Sequence, residues 1–351
     1  MKTWDVIISG AGIIGVSLAL ELRERGAEVL VLDSGEPGKE ASSAAAGMLS
    51  ATDPETPQEL RELARVSAEL YPTFVRKIES SSGMLVDFRQ GAIALLSKTE
   101  TAPPEYEPLS PDQLKEHEPA LRAGDLAAYR IEGEHSVDPA LLMEAGVGAA
   151  RAAGVVVHGT VAVQQMNSAS RLVEVTTAKD RIMARVAVNC QGAWSGAPVR
   201  PRKGQLLYLQ PESPLLLRHV VRSPEAYLVP RSSGRILVGA TVEDVGYDKT
   251  VEHGMIAELH RKAGEIVPEL SSAPVVASWA GLRPGTPDDL PILGETEKRG
   301  VFIASGHFRN GILLAPITAQ IMADMIQGKH SQFELSAFAV DRFASSLPGP
   351  R

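Results

Sequence analysis

The chain has 351 residues, of which 44% are hydrophobic and 22% charged, and its formal net charge is -8. This predicts one large globular unit or two closely joined domains. The acidic balance, without a Lys/Arg run, argues against nucleic acid as a partner. The single cysteine, Cys190, excludes an internal disulfide framework, so we expect a reducing cytoplasm and no metal. We interpret Met1–Ala11 as a strand, and no later apolar run approaches the roughly 20 residues that span a bilayer.

A strand, a glycine-rich turn and a helix open the chain. Val6–Ile8 is a β-branched run, and residues 10–15 read GAGIIG. The helical stretch that follows ends near Gly26, before a second strand at Glu28–Leu32. This order is typical of a dinucleotide-binding βαβ unit.

Each glycine of the turn has a physical task in such a unit. We assign Gly10 to the tight turn, Gly12 to the close approach of a pyrophosphate, and Gly15 to packing of the helix on the strand. The free N–H groups and the positive dipole of the helix N-terminus would then face the phosphates. Asp33 follows the second strand, about 20 residues beyond the glycines, where a carboxylate accepts hydrogen bonds from ribose hydroxyls.

The segment after Asp33 favours a flavin over a nicotinamide cofactor. Ser34–Met48 is rich in small residues and has no strand pattern, which suits an extended cofactor. An NAD-binding unit is expected to continue with another compact strand and helix. The sequence SAAAGML at Ser43–Leu49 indicates that something approaches this backbone closely, and we expect that to be the flavin ring and a small substrate.

The remaining elements suggest one interrupted domain. They are a helix at Glu59–Ile78, a proline-rich loop at 103–111, a helix at Ala140–Ala153, strands at Val155–Val163 and Arg185–Asn189, a small-residue turn at Cys190–Ser195, a hairpin at Tyr227–Gly239, a helix at Ala257–Ile266, a strand at Val301–Ala304 and a helix at Ile312–Ile326. We therefore predict an α/β dinucleotide domain built from 1–85, 140–200 and 280–351. A strand-rich substrate domain is inserted in it, at 86–139 and 201–279.

Several motifs together resemble the glycine oxidase family of bacterial thiamine biosynthesis, in the D-amino-acid oxidase superfamily. They are SAAAGML at 43–49, YLVP at 227–230, GAT at 239–241, GLRPGT at 281–286 and GHFRNGILLAP at 306–316. The resemblance is dense over the first fifty residues and from Tyr227 onward, and thin from Asp53 to Asp138.

The resemblance implies a discontinuous FAD-binding Rossmann-type domain with an inserted antiparallel-sheet substrate domain. It implies non-covalent FAD and oxidative deamination of glycine or other small amines, with oxygen reduced to hydrogen peroxide and a homo-oligomeric assembly. The flavin contacts that it implies are Ile13, Ile14, Asp33, Ser34, Ala41, Ser42, Ala46, Gly47, Met48, Val161, His307, Phe308, Arg309, Asn310, Gly311, Ile312 and Leu313.

The chemistry calls for a carboxylate anchor, because hydride transfer to a flavin requires a positioned Cα–H more than an acid or a base. Arg283 and Arg309 are permanently charged and make bidentate contacts with carboxylates, and Tyr227 is a neutral donor. We predict these three as substrate-binding residues, with Met48 in the pocket. The helix N-terminus at Asn310–Leu313 suits the negative charge that grows on a reduced flavin.

Two positions depart from the family pattern and bear on the substrate. Val242 stands where the family has methionine, and Glu225 where it has histidine. If Val242 lines the pocket, its shorter side chain admits a bulkier amine, such as a small D-amino acid or sarcosine. If Glu225 points inward, it favours a cationic amine.

Three other functions stay open at this point. A dehydrogenase of the same fold would pass its electrons to an acceptor other than oxygen. A flavin-binding protein without turnover has no need of the arginines over the ring, and an NAD-dependent dehydrogenase does not explain the segment after Asp33.

Overall fold

A computed structural model describes residues 2–196, 198–212 and 217–343. These residues contain seven α-helices: α1 Ile13–Glu24, α2 Ala41–Ala44, α3 Arg61–Ser82, α4 Pro111–His117, α5 Pro139–Ala152, α6 His253–Ile266 and α7 Gly311–Ile326. They also contain seventeen strands: β1 Thr3–Ser9, β2 Val29–Leu32, β3 Met48–Leu49, β4 Phe88–Leu96, β5 Glu107–Leu109, β6 Ala127–Val137, β7 Val156–His158, β8 Val163–Ala169, β9 Leu172–Thr177, β10 Arg181–Asn189, β11 Arg200–Leu209, β12 Val220–Arg222, β13 Tyr227–Pro230, β14 Ile236–Gly239, β15 Val275–Gly285, β16 Ile292–Glu295 and β17 Val301–Ser305.

The first sheet has a parallel centre in the order β17-β10-β1-β2-β7. Its strands are apolar and β-branched because both faces are covered. Successive side chains point to opposite faces, so Val6 and Ile8 pack on one face with helices α1, α3, α5 and α7. Ile7 packs on the other face with strands β8 and β9. The predicted βαβ unit and the predicted last helix are confirmed.

The second sheet, in the order β15-β11-β14-β13-β12-β4-β6-β3, is mostly antiparallel. The same alternation sorts its hairpin residues. Leu228 and Val238 pack on the face that carries α6, whereas Tyr227, Val229 and Leu237 belong to the opposite face. Tyr227 therefore lies on the face of the sheet opposite α6.

One predicted strand is wrong in extent. Val155–Val163 is divided into β7 and β8, because the chain turns between them at Gly159 and Thr160. Thr160 has a φ of 58°, and its N–H donates to the Gly35 carbonyl at 2.9 Å. The segment after Asp33, which has no strand pattern in the sequence, contains the short helix α2.

The predicted division into domains stays a prediction. Strand β15 runs across its boundary at residue 280, and β3 joins the second sheet although it lies within the range 1–85. Residues 344–351, the end of the predicted third piece, lie outside the described residues.

Candidate active site

A cavity of about 670 Å³ extends from the glycine-rich turn to the second sheet. Most predicted site residues line it: Gly10, Gly12, Ile13, Ile14, Asp33, Ser34, Ala41, Ser42, Ala46, Gly47, Met48, Tyr227, Arg283, His307, Phe308, Arg309, Asn310, Gly311 and Ile312. The ends of β1 and β10 and the N-termini of α1 and α7 meet at this cavity.

Three predicted residues are not among those that line the cavity. Gly15 packs the helix on the turn, since a Cβ added to it would lie 2.0 Å from the Gly10 carbonyl oxygen. Leu313 is buried in the apolar core. The Val161 N–H donates to the Asp33 carbonyl at 2.7 Å, which holds Val161 beside the acid that does line the cavity.

Backbone contacts and two side chains fix the glycine-rich turn. Gly10 has a φ of 106° and would meet the Cys190 carbonyl oxygen at 2.3 Å if it carried a Cβ, so only glycine fits there. Asp33 accepts hydrogen bonds from the N–H groups of Ala11 at 2.7 Å and Gly35 at 2.8 Å. Ser42 Oγ accepts from the Ile13 N–H at 2.9 Å. The Asp33 carboxylate keeps lone pairs for ribose hydroxyls.

The small residues at 44–47 line the cavity and also lie close to neighbouring strands. Gly47 has a φ of 77°, and a Cβ there would lie 1.9 Å from the Val137 carbonyl oxygen. A Cβ on Gly281 would lie 2.8 Å from the Ala44 Cβ. Close packing against strands β6 and β15 is thus a second reason for small residues in this segment. That the flavin ring and a small substrate also lie against it stays a prediction, and Ala44–Gly47 line the cavity.

Arg283 and Tyr227 lie together on the cavity face of the second sheet. Arg283 Nη1 donates to the Thr241 carbonyl at 3.1 Å and, more weakly, to that of Lys203 at 3.4 Å. Burial lowers the pKa of Arg283 and raises that of Tyr227, and the nearby charge of Arg283 partly offsets the rise for the tyrosine. Among the described residues Arg283 forms no ion pair, so its positive charge faces the cavity without a carboxylate partner.

Arg309, by contrast, already has acidic partners. Its guanidinium pairs with Glu55 and lies 3.5 Å from Asp53 Oδ2. The structure thus brings both arginines to the cavity, but only Arg283 presents a free charge there. Met48 packs with the apolar residues next to Tyr227.

His307 is buried beneath the start of α7. Its Nε2 lies 3.2 Å from Thr318 Oγ1, and burial lowers the pKa of the imidazole to about 3. The ring is therefore neutral at ordinary pH.

Sequence reasoning missed a charged group on the cavity wall. Arg222 lines the cavity and lies 3.0 Å from the buried Glu134 and 3.6 Å from Asp53, and it also donates to the Tyr106 hydroxyl. Burial raises the pKa of Glu134, and the charge of Arg222 partly offsets this. Its partners Asp53, Tyr106 and Glu134 fall where the motif pattern is thin, and Arg222 reaches them only through the pairing of distant strands, so no local signal marks them.

The two departures from the family pattern have different outcomes. Val242 is 50% exposed and is not among the described residues that line the cavity, so it does not enlarge the pocket. Glu225 does line the cavity, but its carboxylate lies 3.0 Å from Lys262 Nζ and is largely exposed. Its charge is therefore compensated by Lys262.

The sequence profile of a family described as FAD dependent oxidoreductase matches residues 5–325. The chain belongs to the FAD-dependent oxidoreductase family. This oxidoreductase is 36% identical to a glycine oxidase of Bacillus licheniformis, an alignment that covers 97% of this chain and 98% of the relative. It is 34% identical to a "Bifunctional protein ThiO/ThiG" of Trichormus variabilis, over 99% of this chain and 56% of the relative.

A solved structure shows the same fold. The crystal structure of glycine oxidase from Geobacillus kaustophilus matches this oxidoreductase with a TM-score of 0.91 at 33% identity, covering 97% of this chain and 99% of that one. The shared fold includes the dinucleotide-binding βαβ unit at residues 3–32.

The described residues fit FAD. The N-terminus of α1 and the Asp33 carboxylate border one end of the cavity, as a pyrophosphate and a ribose require. Residues 307–312 at the N-terminus of α7 line the same cavity as Arg283 and Tyr227. No group of three or more His, Cys, Asp or Glu side chains among the described residues is arranged to hold a metal ion. Over the same residues, every helix is too short or too polar to cross a membrane.

Proposed function

We propose that this oxidoreductase oxidises glycine, or another small amine that carries a carboxylate, to the imine. Hydrolysis of the imine then gives the 2-oxo acid and the free amine or ammonia. The observation that carries the proposal is Arg283, a buried guanidinium that faces the cavity and forms no ion pair among the described residues. A buried cation without a counter-ion is costly, so a ligand carboxylate is its natural partner.

The reaction removes two electrons and two protons from the amine. FAD, when bound, supplies the two-electron acceptor for the hydride from Cα, and dioxygen is the proposed final acceptor, reduced to hydrogen peroxide. The protein's own contribution is then orientation, because a bound and aligned substrate avoids most of the entropic cost of reaction.

Arg283 and Tyr227 supply that orientation. The guanidinium forms charge-assisted hydrogen bonds with a carboxylate, and the Tyr227 hydroxyl remains a neutral donor because burial raises its pKa. Two donors on one carboxylate fix the direction of the Cα–H bond. The mostly apolar residues next to them, including Ala46, Met48 and Leu206, suit a small substrate and limit water at the reacting carbon.

Arg309 contributes differently in this proposal. Because Asp53 and Glu55 already neutralise it, it binds the substrate only after exchanging one of these partners. We therefore place it at the border of the substrate site and make Arg283 the principal anchor. His307 orients the start of α7 and takes no proton in the reaction, since its pKa lies near 3.

A place in thiamine biosynthesis is part of the proposal. It is supported by relatives named glycine oxidase and by the bifunctional relative, of which this chain spans about half.

The deciding experiment is an aerobic peroxide assay on the purified yellow protein with glycine, sarcosine, D-alanine and D-proline. Peroxide from at least one of them, lost in Arg283→Ala while the flavin spectrum persists, supports the proposal. If these amines reduce the flavin in the absence of oxygen but little peroxide forms in air, the protein is a dehydrogenase that uses another acceptor. Absence of reduction by all four contradicts amine oxidation.

A further inference from the structure

The guanidinium of Arg283 contacts backbone groups of the second sheet. Its Nη1 donates to the Thr241 carbonyl at 3.1 Å and lies 3.4 Å from the Lys203 carbonyl oxygen. A Cβ on Gly204 would lie 2.2 Å from the same nitrogen. The direction of the guanidinium is therefore set by two carbonyl oxygens from two separate segments.

An isolated antiparallel bridge holds these two segments together. The N–H of Lys203 donates to the Glu243 carbonyl at 2.9 Å, and the N–H of Glu243 donates to the Lys203 carbonyl at 2.9 Å. Strand β14 ends at Gly239, four residues earlier. Beyond that end, the bridge keeps Thr241 beside β11.

The side chains of the bridging residues reinforce it. Glu243 Oε2 lies 3.1 Å from Lys203 Nζ, and Oε1 accepts hydrogen bonds from Gln205 Nε2 at 2.9 Å and from the Thr241 hydroxyl. Lys203 is 1% exposed. Burial lowers its pKa, but Glu243 and Glu252 raise it by more, so the ammonium stays charged.

Neither Lys203 nor Glu243 is among the described residues that line the cavity, whereas Gly204 and Arg283 are. The pair therefore does not contact a substrate, and it acts on Arg283 through the two carbonyl groups and through the charge of Glu243.

We propose that the Lys203–Glu243 ion pair positions Arg283, and so sets the affinity for the substrate's carboxylate and the orientation of the bound substrate. This inference rests on the proposed role of Arg283 as the anchor. The pair is a positioning pair and touches neither substrate nor cofactor.

The test uses FAD-loaded protein and acetate, the simplest carboxylate probe, titrated by the change that it causes in the flavin absorbance. Removing the charge with Lys203→Met is expected to weaken acetate binding about tenfold. With glycine under anaerobic conditions, the limiting rate of flavin reduction should also fall, because the same guanidinium directs the Cα–H bond. Lys203→Arg should restore most of the affinity. Lys77→Met, the same substitution in the exposed pair with Glu24, serves as the matched control.

Glu243→Gln keeps the shape of the Glu243 side chain, which contacts Lys203, Gln205 and Thr241, and removes only its charge. It should weaken acetate binding in the same direction, and it keeps the test valid if Lys203→Met fails to fold.

A double-mutant cycle separates positioning from general damage. In an Arg283→Lys background the guanidinium that donates to the two carbonyl groups is absent. Lys203→Met should then weaken acetate binding by less than about twofold further. Equal losses in both backgrounds, or wild-type affinity in Lys203→Met and Glu243→Gln, would overturn the inference. Wild-type acetate affinity in Arg283→Lys and Arg283→Ala would instead contradict the proposed function.

Discussion

Tyr227 and Gly239 are cross-strand partners in the β13–β14 hairpin, and the tyrosine hydroxyl lies over the glycine. A Cβ built on Gly239 would come within 2.6 Å of Tyr227 Oη. Because Gly239 has no side chain, the phenol of Tyr227 can pack over its backbone and lie beside Arg283.

Gly239→Ala should therefore act through Tyr227. The added methyl group displaces the phenol, and the loss of one hydrogen bond to a charged carboxylate weakens acetate binding by about tenfold or more. Tyr227→Phe should produce a similar loss, and the double variant should be little worse than either single one. Wild-type affinity in Gly239→Ala, with weakened binding in Tyr227→Phe, would show that the phenol does not depend on the glycine.

Gly47→Ala should destabilise the protein through a clash with β6. The matched control is Gly83→Ala, because Gly83 has a φ of 72°, close to the 77° of Gly47, but nothing within 4 Å of its would-be Cβ. The control should lose about 1 to 2 kcal/mol of unfolding free energy from backbone strain alone. Gly47→Ala should lose more, because it adds the contact with Val137. Equal losses in denaturant unfolding would remove steric crowding as the reason for this glycine.

Arg222→Met should leave the Glu134 carboxylate buried without its cation. Removal of one partner of a buried pair costs about 3 to 5 kcal/mol, and Arg222→Met/Glu134→Gln should recover part of that loss. The control is Arg65→Met, in an exposed pair, which should change stability little.

The effect of Arg222→Met should also depend on pH. Burial raises the pKa of Glu134, and loss of Arg222 raises it further. A carboxyl with a raised folded-state pKa favours the folded state at low pH, and this stability is lost as the pH rises through the folded pKa. The cost of the substitution should thus grow as the pH rises from the acidic range, where the carboxyl is protonated, into the neutral range. A cost independent of pH would contradict the burial of an ionised Glu134.

His307 should make stability fall on acidification. Its pKa is about 3 in the folded protein because of burial, below the ordinary value of about 6.5. A depressed pKa gives stability that is present above the unfolded value and lost as the pH falls below it. Between about pH 6.5 and 5 this loss amounts to about 1.4 kcal/mol per pH unit. In His307→Gln the slope of unfolding free energy against pH should be smaller by that amount; an unchanged slope would show that His307 is not buried and neutral.

The sequence predicts best the elements whose signals are local. The glycine-rich turn, the hairpin at Tyr227–Gly239 and the helix after Gly311 each carry their pattern within a few residues. The motifs that resemble glycine oxidase also predicted the cavity residues of the C-terminal half, among them Arg283.

What the sequence could not predict depends on contacts between distant segments. The pairing of Arg309 with Glu55 joins residues 254 positions apart. Gly47 is small because Val137 approaches it from β6, and the sequence of the loop alone does not show this approach. The Lys203–Glu243 bridge likewise exists only once β11 and the segment after β14 are brought together.

Recognition of a carboxylate by Arg283 can be measured by comparing glycine with glycinamide. Glycine carries the carboxylate that Arg283 should bind, whereas glycinamide carries a neutral amide in its place. In wild type, kcat/KM for glycine should exceed that for glycinamide by about a hundredfold. In Arg283→Ala the ratio should collapse towards one, mainly through loss of glycine activity. If glycine keeps its advantage over glycinamide in Arg283→Ala, the carboxylate is bound elsewhere and Arg283 is not its anchor.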